Sequence, residues 1–135
     1  MERIKRSYEL MLDFYGAQLV DWKTGELART SNYEACFDNL NARFHNYLRI
    51  TRVLKWLGEM HLEHLKLGFL VFFANEAVFL KTIPRAAQSL ENFWLATLKQ
   101  DAEVESVVRF IEQDMTWEEA LALVRRPQER GLVPA

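Results

Sequence analysis

A single cysteine, Cys36, leaves this 135-residue chain without a partner for an intramolecular disulfide. A disulfide-stapled secreted scaffold is excluded, and a reducing, cytoplasmic or otherwise intracellular setting is expected. The five glycines are scattered, so no glycine-rich loop is available to cradle a phosphate. Of the three prolines, Pro127 and Pro134 lie in the last stretch, which confines helix breaking in the body of the chain to Pro84. The most apolar run, LGFLVFFANEAVFL at 67–80, falls short of the ~20 residues a membrane span needs, and it contains Asn75 and Glu76. It reads as a central buried helix. The opening MERIKRSYELMLDFYG is basic and then amphipathic, without the apolar core and small-residue cleavage site of a secretory signal.

What is present suits a folded protein. Half the residues are hydrophobic and 27% are charged, in a length that supports one core and not two. The net charge of −2 is unevenly spread. Residues 43–66 hold Arg43, Arg49, Arg52, Lys55 and Lys66 against Glu59 and Glu63, together with all three histidines. Residues 101–119 hold Asp101, Glu103, Glu105, Glu112, Asp114, Glu118 and Glu119 against Arg109 alone. This is not the strongly basic footprint of a dedicated nucleic-acid binder, and it reads as two differently solvated faces.

Helical spacing runs through Ile4, Tyr8, Met11, Leu12 and Tyr15, with Gly16 as the stop. AQLVDWKTGELARTS then turns at Thr24-Gly25, and an irregular loop is favoured over a short hairpin. Ser31 and Glu34 have capping-box spacing ahead of a second helix that carries Tyr33, Cys36, Phe37 and Leu40 inward. In HNYLRITRVLKWLGE, at 100° per residue, Tyr47, Ile50, Val53, Leu54 and Leu57 share one face, while His45, Arg49, Arg52, Trp56 and Glu59 lie opposite. Asn46 points into the apolar stripe, where an unsatisfied amide costs about 1–3 kcal/mol. A structural hydrogen bond from Asn46 to a neighbouring backbone or polar side chain is therefore expected. A fourth helix follows through HLEHLKLGFLVFFANEAVFL. Pro84 opens a fifth through Leu90, Phe93, Trp94 and Leu98. Asp101 is placed to cap a sixth, with Val104, Val107, Val108 and Ile111 inward. Thr116 and Glu119 form a capping box for a seventh that ends near Arg126-Pro127. The expected architecture is an all-α, single-domain bundle of six or seven helices around a hydrophobic central helix, residues 1–126, with a flexible tail at 127–135.

No catalytic or metal site is assigned. His61-Leu62-Glu63-His64 is one residue shorter than a zincin motif or its inverse, so these histidines read as solvated helix-end residues. Cys36 occupies a core-like helical position, where a thiol is ordinarily inert. No cofactor is expected. Arg49 and Arg52, one turn apart beside Trp56, have the chemistry to grip a carboxylate or phosphate, and equally to pair with Glu59 or the acidic C-terminal helices.

YELMLDFYG at 8–16, TG at 24–25, NY at 32–33, NLN at 39–41 and HNYLRITRVLKWLGEMHLEH at 45–64 resemble the conserved region of the opioid growth factor receptor family. FLVFFANEAV at 69–78 and IPRAAQSLENFWLA at 83–96 continue the resemblance in order and spacing. The resemblance implies a binding role. Animal members are described as receptors for an enkephalin pentapeptide, associated with the nucleus and growth inhibition, and the family brings no catalytic residues to transfer. Short relatives also occur in microbes. This sequence reads as a short form, without the animal proteins' upstream QWLFP-type segment and their long repeat tail. The expectation is a non-catalytic interaction domain that binds a peptide or protein through His45, Arg49, Arg52, Trp56 and Glu59. The alternative is a nucleic-acid-associated protein that sets the same arginines on phosphates. The oligomeric state is left open, since Trp22 or Trp56, if exposed, would suit a dimer interface.

Overall fold

The computed structural model describes residues 2–43 and 45–126; the tail expected at 127–135 lies outside the described residues. The first helix, α1 (Glu2–Phe14), buries Tyr8 and Leu12. It stops at Gly16, whose φ of +82° suits glycine and little else. The next segment is a hairpin and not the expected loop. Strands β1 (Ala17–Leu19) and β2 (Leu27–Arg29) pair antiparallel with Gln18 opposite Ala28. Val20 N donates to Glu26 O at 2.8 Å, Gly25 N donates to Asp21 O at 2.8 Å, and Asp21 Oδ1 accepts from Lys23 N at 2.9 Å. Three-residue strands are too short for alternation to mark them, so these turn bonds make the hairpin.

Helix α2 (Tyr33–Ala42) buries Phe37 and Leu40, while Tyr33 and Cys36 are half-buried. The expected Ser31/Glu34 capping box does not form. Asn32 takes the cap position without a side-chain cap bond, because its Oδ1 accepts from Thr30 Oγ1 at 2.7 Å. Helix α3 (His45–Glu59) buries the apolar face read from its spacing, with Asn46 inside it. Met60 and Leu62 amides close the chain back onto α3 carbonyls, and His61 adopts φ 61°. The next helix therefore begins three residues later than HLEH suggested.

That helix, α4 (His64–Ala74), is buried along its whole length and runs on through a π-helical turn, Asn75–Phe79. It touches α3, α6, α7 and β2, which makes it the central element. Each core side chain such as Phe69, Leu70 or Phe73 contributes roughly 1.5–3 kcal/mol by leaving water. Gly68 permits the closest approach: a Cβ there would stand 2.1 Å from Gly25 O. A composite helix, α5 (Pro84–Thr97), follows at 119° to the preceding one. Proline stands at its first turn, and the residues Leu90–Trp94 form a second π-helical turn. That turn buries Leu90 and Trp94 and leaves Phe93 47% exposed. Helix α6 (Asp101–Ile111) is preceded by Gln100 as cap residue, without a side-chain cap bond, and not by Asp101. Val107 and Phe110 are its buried apolar residues; Val104, Val108 and Ile111 are half-buried. Helix α7 (Trp117–Val124) carries the predicted capping box: Glu119 N donates to Thr116 Oγ1 and Thr116 N to Glu119 Oε1. Among the described residues, no single helix is long and apolar enough to cross a membrane.

Candidate functional site

The spacing of α3 sets the candidate surface. His45, Arg49, Arg52 and Glu59 are exposed, and Trp56 is half-buried with its ring packed against the core. From position 45 to position 59 the stripe advances about 21 Å at ~1.5 Å per residue, so its ends cannot meet one small ligand. The middle of the stripe is compact, with Arg49, Arg52 and Trp56 on successive turns. The expected pairing of these arginines with Glu59 or the C-terminal helices is absent: among the described residues, neither Arg49 nor Arg52 has a hydrogen bond or an ion pair. Other arginines are engaged with acidic partners instead. Arg125 holds Glu26 through two bonds of 2.7 and 2.9 Å, and Arg109 reaches Asp114 at 3.5 Å. Arg49 does act on a neighbour. Burial raises the Tyr15 hydroxyl above its usual pKa, and the Arg49 charge partly opposes that rise.

Asn46 is 1% exposed and donates from Nδ2 to Asn39 O at 3.3 Å, across the junction of α2 and α3. On the buried side of the same helix, Trp94 Nε1 donates to Tyr47 O at 3.2 Å. Tyr47 Oη in turn donates to Asn41 O at 3.3 Å.

The histidines do not form a pair on one helix face. His61 lies exposed in the turn, whereas His64 is buried and its Nε2 donates to Trp22 O at 3.2 Å, so only one of the two is solvated as expected. Among the described residues, no group of three or more His, Cys, Asp or Glu side chains is arranged to hold a metal ion. Cys36 is half-buried, with Sγ 3.8 Å from Asp13 O; burial first, and the Asp13 charge second, push its thiol pKa up. A thiol held protonated is a poor nucleophile. Trp22 is likewise half-buried and sets its ring edge-on to His64 at 6.3 Å.

Two charged groups are internal, of which the sequence sets Lys66 on a solvated face and Glu76 within the central apolar run. Lys66, 2% exposed, sets Nζ 2.8 Å from Glu63 Oε1 and donates to Thr97 O at 2.6 Å, which ties α4 to the end of α5. Glu76, also 2% exposed, receives two bonds of 2.7 Å from Arg29 and a third of 2.7 Å from Thr82 Oγ1. Arg29 lies over the Tyr33 ring at 4.3 Å, and its bonds to Glu76 raise its pKa further. These two sets fasten the fold.

A groove lies on the other side of α3, between it and α5. Tyr47, Arg85, Gln88, Ser89, Asn92 and Phe93 line about 440 Å³. Nothing in the spacing of IPRAAQSLENFWLA marked it, because α5 departs from 3.6-residue periodicity at its π turn.

Comparison with known proteins supplies a context for this geometry. The family model described as the opioid growth factor receptor (OGFr) conserved region matches residues 1–130. An opioid growth factor receptor of Homo sapiens is 42% identical over 109 residues, which are 81% of this chain and 16% of that protein. One from Rattus norvegicus is 44% identical over 98 residues, 73% of this chain and 17% of its own length. An opioid growth factor receptor-like protein 1 of Mus musculus is 39% identical over 116 residues, 86% of this chain and 25% of that protein. The chain thus spans a quarter or less of these relatives. No solved structure matches significantly.

Proposed function

The chain belongs to the family of the opioid growth factor receptor conserved region, and from that premise we propose that it is a non-catalytic binding domain for a peptide or protein partner. Its contact surface is the α3 stripe of His45, Arg49, Arg52, Trp56 and Glu59. The observation that carries this reading is the state of Arg49 and Arg52: both exposed, one turn apart, beside a half-buried indole, and without an ion pair among the described residues. Two such guanidinium groups suit acidic side chains or a carboxylate on the partner, and Trp56 adds an apolar anchor of the kind that dominates interface energetics. The relatives are named receptors and not enzymes. Their named ligand is not carried over with the binding role. We place the domain inside the cell, where its single half-buried thiol needs no partner.

The test is capture of a partner from host lysate by the wild type and by Arg49→Ala/Arg52→Ala, after circular dichroism has shown that both are folded. A protein retained by the wild type and lost by the variant supports the assignment. Equal retention by both forms moves the surface elsewhere. Retained nucleic acid whose affinity falls steeply as salt rises would replace the protein partner with phosphate contacts by the same arginines.

A further inference from the structure

The groove between α3 and α5 is separate from the exposed stripe and makes no use of the reading just given. At its floor, Ser89 is 3% exposed, yet its hydroxyl makes no hydrogen bond among the described residues. In helices elsewhere in this chain such hydroxyls bond back along the helix, as Thr51 does to Tyr47 O at 3.1 Å and Ser106 to Ala102 O at 2.9 Å. A hydroxyl that lines a cavity and has no internal partner is available to a ligand. Arg85 stands one helical turn before Ser89. Its backbone amide donates to Asn41 Oδ1 at 3.0 Å, which fixes the start of α5 against α2. Its guanidinium makes only a long contact, Nη1 to Ala42 O at 3.5 Å, and no carboxylate pairs with it among the described residues. Arg85 lines the groove, and its charge partly opposes the burial-driven rise of the Tyr47 pKa.

The rest of the lining defines the ligand. Gln88 and Asn92 offer carboxamides, each both donor and acceptor, which match an amide. Phe93, turned outward by the π-helical geometry, and Tyr47 supply aromatic surface. Among the described residues, no acidic side chain lines the groove. One guanidinium fork balances one carboxylate, whereas a phosphate dianion would keep an uncompensated charge. The volume falls within the roughly 300–1,000 Å³ of small-molecule sites, and π-helical turns recur at functional positions.

We propose that this groove binds a monocarboxylate carrying a neutral amide and a flat apolar group. Arg85 holds the carboxylate, Ser89 donates to it from the floor, the carboxamides of Gln88 and Asn92 bond the amide, and the apolar group lies along Phe93. Such a ligand comes either as a free small acid or as the carboxyl end of a peptide.

The test is titration of the full chain, followed by backbone amide NMR shifts, with four probes: hippurate, hippuramide, Ala-Ala-Ala-Phe as free acid, and the same peptide amidated. The expected result is saturable shifts centred on residues 85–93 with one or both acids and none with the amides. Hippurate alone identifies small acids as the source, and the peptide acid alone identifies chain ends. Arg85→Gln should weaken binding by at least about tenfold, the loss of one charge-assisted pair. Ser89→Ala should weaken it less. Absence of saturable shifts with both acids at millimolar concentration overturns the proposal. So does wild-type affinity in folded Arg85→Gln, or equal occupancy by inorganic phosphate.

Discussion

Asn46 and Tyr8 are both buried polar side chains, and the structure gives them opposite expectations. Asn46 donates to Asn39 O, so Asn46→Ala removes a hydrogen bond made by a buried side chain. We expect a loss of about 1–3 kcal/mol, read as a lower melting temperature; an unchanged value would show that this bond does not hold the α2–α3 junction. Tyr8 is fully buried, and its hydroxyl has no hydrogen-bond partner among the described residues. Tyr8→Phe should therefore be neutral or stabilising. Burial also drives the Tyr8 pKa far above its ordinary value. Its neutral form is compatible with the fold, so its contribution is complete below the unfolded tyrosine value of about 10 and is lost as pH rises beyond it. Tyr8→Phe should shift the alkaline unfolding midpoint upward, followed by circular dichroism. The direction of Asn46 was legible from 100° periodicity. Lys66 was not: in sequence it resembles any lysine near a glutamate, and its burial depends on Thr97 O, 31 residues farther on.

Among the elements, α4 and the hairpin depend on one close approach. Gly68→Ala would place a methyl group 2.1 Å from Gly25 O, where backbone faces it and no side chain can swing away. Overpacking of this kind costs about 1–3 kcal/mol or more, and chemical denaturation should show at least that loss. Gly25 carbonyl contact is invisible in the LGFL pattern, which advertises only a buried helix. The start of α7, by contrast, was legible, because Thr116 and Glu119 are local partners. Hydrogen bonds from the Thr116 backbone amide, foremost, and its side chain lower the Glu119 carboxyl pKa. That contribution is present above the unfolded carboxylate value of about 4.3 and is lost as pH falls through the lower folded value. Glu119→Ala, which removes the carboxylate that the Thr116 amide holds, should thus lower the melting temperature at neutral pH, with a difference from wild type that shrinks in acid. Ser31 and Glu34 had the same spacing without forming a box, since Asn32 took the cap position and bonded Thr30. Capping motifs report local competence, and neighbours decide which one is used.

At the scale of the molecule, the bundle around an apolar helix was legible because α4 is hydrophobic on all sides and its partners are amphipathic. The groove beside α5 was not, because it depends on a change of helical pitch and on the 119° bend between the two helices. The exposed arginines of α3 carry no described internal bond, so Arg49→Ala/Arg52→Ala should leave unfolding free energy within about 0.5 kcal/mol of wild type. A larger loss would identify them as part of the fold. Arg125 differs: its fork closes on Glu26, 99 residues earlier, and α7 rests on α4. During synthesis the hairpin turn and the apolar helix leave the ribosome well before the helix that seals them. Until α7 arrives, that seam stays uncovered, and the Arg125–Glu26 clasp is the contact whose appearance would time its closure.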